Sequence, residues 1–141
     1  LRDFEGFSVK STPFVAGTDL EPIPFSPEHC ALAKELKKKG LDWHPHVGCF
    51  VWDEKGHVKV SSPFPHGIYF ILNLGHFLRI FETIENMKNK LVWLPTWHQA
   101  RILCKRLKIT QSEIHAALGG EEAEGVWADA AILYKLISKR L

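Results

Sequence analysis

The chain has 141 residues, 45% of them hydrophobic and 24% charged, with a formal net charge of +2 at pH 7. That is one domain's length with apolar material enough for a buried core. A charge so near neutral provides no global field for nucleic acid or an anionic membrane, so both are disfavoured as partners.

Residues 1–26 hold Pro13, Pro22 and Pro24 with Gly6 and Gly17 among four phenylalanines. The pattern predicts an extended N-terminal arm anchored on the body by Phe4, Phe7, Phe14 and Phe25. A single α+β domain is expected over 27–141. The start of the chain is charged and lacks the apolar segment of a secretory signal. The longest apolar run, IYFILNL at 68–74, is too short to span a bilayer. A soluble, cytoplasmic protein with no membrane attachment is the expectation. The three widely spaced cysteines, Cys30, Cys49 and Cys104, read as buried free thiols.

Ser26, Pro27 and Glu28 form a helix start, with a capping hydroxyl, a proline and an acid in the first turn. Cys30, Ala33 and Leu36 give that helix an inward face. Lys37, Lys38 and Lys39 followed by Gly40 read as helix-end chemistry, cations at the negative pole and then a glycine stop. The segments VGCFVWD, EKG and HVKVS predict a hairpin over 47–61. Val47, Cys49 and Val51 fall on one face of its first arm, and Phe50 and Trp52 on the other. Two apolar faces predict a covered, central strand.

IYFIL at 68–72 is a candidate strand, followed by a helix that Asn73 caps; an unbroken helix from Ile68 is the rival pattern. TIENMKNK reads as a second short helix or a bent extension, and LVWL as a short strand or linker ended by Pro95. Helical segments are expected over about 97–107, 111–118 and 122–141. Val126, Ala130, Leu133, Ile137 and Leu141 form the inward stripe of the last. Trp127, Ile132, Tyr134 and Leu136 fall outside that stripe, leaving apolar surface for a homodimer, or for the N-terminal arm, to cover. The fold class is therefore α+β. A small antiparallel sheet, made of the hairpin 47–61 and the strand 68–72, packs against a helical C-terminal half.

No GxSxG, P-loop, GxGxxG, HExxH or CxxC motif occurs, so no cofactor is required by any motif and enzymatic activity is left open. The stretch richest in chemistry is LVWLPTWHQAR, 91–101. Thr96 and Gln99 fit the capping box, a structural task that needs no ligand. Trp97, Ala100, Leu103, Cys104 and Leu107 share the core face of the following helix. His98, Arg101 and Lys105 form a polar strip beside it, close to a helix N-terminus where the dipole does not favour cations. With Trp93 and Trp97 they make the candidate site for a small anionic ligand in a ligand-binding or sensory module. The competing account is a solvated strip, or one paired with Glu82 or Glu85.

Two other classes stand beside that one. A small hydrolase would use His98 as a general base with Asp42 or Asp53 orienting it, or a metal held by His44 and His46. Residues 100–118 resemble a helix-turn-helix, with Leu107, Ile109 and Ile114 near its apolar positions and Thr110 capping the second helix. The resemblance implies a DNA-binding or protein-interaction module through the 97–118 hairpin. It departs from the pattern at Lys108, where the turn commonly carries glycine, and in a reading face of Gln111, Ser112 and His115 without a cation.

Overall fold

The computed structural model describes residues 14, 15, 17–117, 119 and 130–141. Phe4, Phe7, Val126 and Trp127, on which parts of the arm and last-helix expectations rest, lie outside them. The described elements run α1 (Pro27–Lys38), β1 (Phe50–Trp52), β2 (Ile68–Phe70), α2 (Leu74–Phe81) and α3 (Ile84–Lys90). They continue with β3 (Val92–Leu94), α4 (Trp97–Arg106), α5 (Gln111–Ala117) and α6 (Ala130–Arg140).

Side chains of the chain's own polar residues set most helix boundaries. Ser26 caps α1 and His29 completes its capping box, the imidazole Nδ1 lying 3.2 Å from the Ser26 amide and accepting from it. Asn73 caps α2 and Thr83 caps α3, with Glu82 at φ 73 breaking the chain between the two helices. Thr96 and Gln99 form the capping box of α4. Each oxygen accepts an amide that the first helical turn would otherwise leave unsatisfied.

Two helices end in the same C-terminal motif. After α1 the Gly40 amide donates to Lys37 O and the Leu41 amide to Leu36 O; after α4 the Lys108 amide donates to Lys105 O and the Ile109 amide to Cys104 O. This pair of bonds needs a left-handed residue after the cap. Gly40 supplies it at φ 96, and Lys108 at φ 61.

The sheet is antiparallel in the order β2-β1-β3, so β1 is the covered, central strand. Phe50 faces Phe70 and Leu94, Val51 faces Tyr69 and Trp93, and Trp52 faces Ile68 and Val92. Because side chains alternate, the sheet divides two cores. Ile68, Val92 and Leu94 join α1, α4, α5 and α6 in one, against which Phe50 and Trp52 pack. Val51 joins Cys49, Val58, Phe77, Phe81, Met87 and Leu91 in the other, against which Tyr69 and Trp93 pack. The chain is thus α+β with a helical C-terminal half.

The pairing inside the sheet corrects one expectation. The hairpin 47–61 does not form: β1 pairs with 68–70 and 92–94, and 57–61 holds no strand. Asp53 is the reason. Its buried carboxylate accepts the amides of His57 at 3.0 Å and Val58 at 2.7 Å. The Tyr69 hydroxyl donates to Val60 O at 2.6 Å and to Val58 O at 3.3 Å. Donors and acceptors that a second arm would offer to β1 are engaged elsewhere. Residues 68–70 are strand rather than helix, as the candidate strand required.

The apolar surface expected on α6 is also different. Tyr134 is fully buried, its hydroxyl donating to Pro95 O, and Leu136 packs against the helical core. Leu141, placed on the inward stripe, is exposed. Ile23 and Phe25 are buried in the same core. Among the described residues no helix is long and apolar enough to cross a membrane.

Candidate functional site

The polar strip of α4 lies in a groove. His98, Arg101 and Lys105 line a concavity of about 410 Å³ with Gln111 from α5, over Ile102, Ile109 and Ile114. The capping box sets where α4 begins, and the Lys108 turn sets where α5 leaves it. Arg140 of α6 holds that turn from behind, donating to Leu107 O at 2.9 Å and pairing with Glu113. Arg140 and the Thr110 amide together hold the Glu113 carboxyl below its ordinary range, the amide contributing most.

Among the described residues neither Arg101 nor Lys105 forms an ion pair. Glu82 and Glu85, the partners suggested by sequence, make none with them. The groove therefore presents an imidazole and two cations without an ion-pair partner among the described residues, beside three isoleucines.

The two tryptophans do not join them. Trp93 lies on the opposite face of the sheet, stacked on Trp43 with ring centroids 6.0 Å apart and planes within 8°. Strand parity requires this, since Val92 and Leu94 are committed to the helical core. Trp97 packs into that core and does not line the groove. Gln111, Ile109 and Ile114 were missed as lining residues, although their place after the turn was already implied by the Thr110 cap.

The catalytic alternatives find their partners engaged. Asp42 pairs with Lys88, whose hydrogen bond is the main cause of its lowered carboxyl pKa. Asp53 is occupied by backbone amides. Neither orients His98. His44 and His46 are both exposed, and the His46 Nδ1–H donates to Val47 O at 2.7 Å. Among the described residues no cluster of three His, Cys, Asp or Glu is arranged to hold a metal ion.

The thiols are free and buried. Burial raises the pKa of all three, Cys30 to about 11. A thiol held in its neutral form is a poor nucleophile.

Comparison with protein-family models, with curated proteins and with solved structures returned no match.

Proposed function

We propose that the chain is a binding module for a small anion, which it takes in the groove between α4 and α5. Arg101 and Lys105 provide the countercharge, and His98 and Gln111 the further hydrogen bonds. The observation that carries this reading is the convergence of His98, Arg101, Lys105 and Gln111 on one concavity, with both cations unpaired among the described residues. A planar guanidinium fits a carboxylate or phosphate with two parallel bonds, and the isoleucines offer apolar contact to the rest of a ligand. The trapped tryptophans are scaffold in this reading.

The test is a thermal-shift titration of the wild type and Arg101→Ala with phosphate, sulfate and acetate. A ligand that binds only the native state raises the melting temperature. A rise in the wild type that is absent from Arg101→Ala supports the groove. No rise with any anion, or the same rise in both proteins, rejects it.

A second reading, duplex DNA held across 97–118, has one observation in its favour. Lys108 adopts the left-handed geometry at φ 61 that glycine commonly supplies to a helix-turn-helix turn. It predicts binding that weakens steeply between about 50 and 200 mM salt. Fluorescence anisotropy of a labelled duplex over that range decides it.

A further inference from the structure

A second basic groove lies away from α4 and α5, where the end of α1, the turn after β1 and the end of α3 meet. We propose that it is a binding site for a small, multiply charged anion of the polyphosphate class. Its volume is about 600 Å³, and Lys34, Lys37, Lys38, Lys55 and Lys90 line it with Glu54 as the single acid. That volume falls within the usual range of small-molecule sites, roughly 300–1,000 Å³.

Helix-end chemistry accounts for only part of this cluster. A cation or two in the last turn is enough to offset a helix dipole. Lys37 goes further into structure, its ammonium donating to Asn89 O at 2.7 Å and Leu91 O at 3.1 Å. Burial lowers its pKa. Lys34 is paired with Glu54 at 2.8 Å. Lys38, Lys55 and Lys90 remain, from three different elements, and none has a carboxylate partner among the described residues. Ammonium groups gathered around one concavity repel one another, and a ligand carrying several negative charges converts that repulsion into attraction.

His57 lines the same groove, its ring packed edge-on against Phe81 with centroids 5.9 Å apart. Lysine is a point-charge binder of phosphate, tolerant of the varied directions that a chain of phosphates presents. The near-neutral chain draws a long polyanion only weakly, so the cluster acts at short range on a compact ligand.

The experiment is calorimetric titration of the full chain with inorganic tripolyphosphate at low salt. Arg101→Ala, which removes the countercharge of the anion site proposed between α4 and α5, is compared with its combinations with Lys38→Gln, Lys55→Gln and Lys90→Gln. One saturable site is expected in Arg101→Ala, weakened about tenfold by each added lysine change. Lys55 lies in a turn, so its variant keeps the test intact if either helix-end variant fails to fold. The proposal is overturned by the absence of saturable binding, or by binding that survives all the lysine changes that fold. Saturable binding by the wild type that disappears in Arg101→Ala would overturn it too, as would orthophosphate binding to Arg101→Ala as tightly as tripolyphosphate. The last two outcomes separate this site from the α4–α5 groove and from a site for a single phosphate.

Discussion

The Tyr134 hydroxyl, in the middle of α6, donates to the carbonyl of Pro95, the residue just before the α4 cap. Both residues are fully buried. The bond fixes where α4 begins relative to α6, and with it the positions of His98 and Arg101 over the next two turns.

Tyr134→Phe keeps the ring and removes the donor to a buried carbonyl. The expected loss is about 1–2 kcal/mol of stability, read as a lower urea midpoint with an unchanged slope. An unchanged midpoint would mean that the hydroxyl contributes nothing net.

Gly40 and Lys108 occupy the same position of the same motif, so opposite substitutions should act in opposite directions. Lys108→Gly removes the steric cost of a side chain at φ 61 and is expected to stabilise by about 1 kcal/mol. Gly40→Ala introduces that cost at φ 96, where a Cβ would touch nothing within 4 Å. A loss of about 1–2 kcal/mol is expected from the backbone alone. Thermal melts of the two variants check the pair, and two shifts of the same sign would refute the assignment.

Stability should fall in alkali through the buried thiols. Burial moves Cys30 from 9.0 to about 11, so across that window the unfolded chain loses a proton that the native state keeps. The native state then binds more protons, and unfolding becomes easier as pH rises. The slope for one thiol is roughly 1.4 kcal/mol per pH unit, with Cys49 and Cys104 acting in the same direction. Urea midpoints at about pH 8.5 and 10.5 measure it, and Cys30→Ala should show the shallower dependence. Equal dependence in both proteins would show that Cys30 is not a source.

The helix starts at Ser26, Asn73, Thr96 and Thr110 were legible because a cap joins residues only three apart. The central place of β1 was legible too, from Val51 and Phe50 being apolar on opposite faces. The partner of β1 was not. An EKG turn between two strand-like runs satisfies every local rule, yet Asp53 and the distant Tyr69 hydroxyl bind the groups that the second arm would use. Trp93 was misplaced for a different reason. Its nearness in sequence to His98 suggested a shared site, although strand alternation around Val92 and Leu94 sends it to the other face. The lysine groove was out of reach, since Lys38, Lys55 and Lys90 become neighbours only once α1 packs beside β3.

Lys37 stands on the boundary between the two cores, rooted in the helical one and bonded through Asn89 and Leu91 to the chain that closes the other. Its ammonium is therefore a rivet between the two halves, set in the wall of the basic groove. An anion drawing that ammonium away from the carbonyls would loosen the joint, whereas one bridging the surrounding lysines would tighten it.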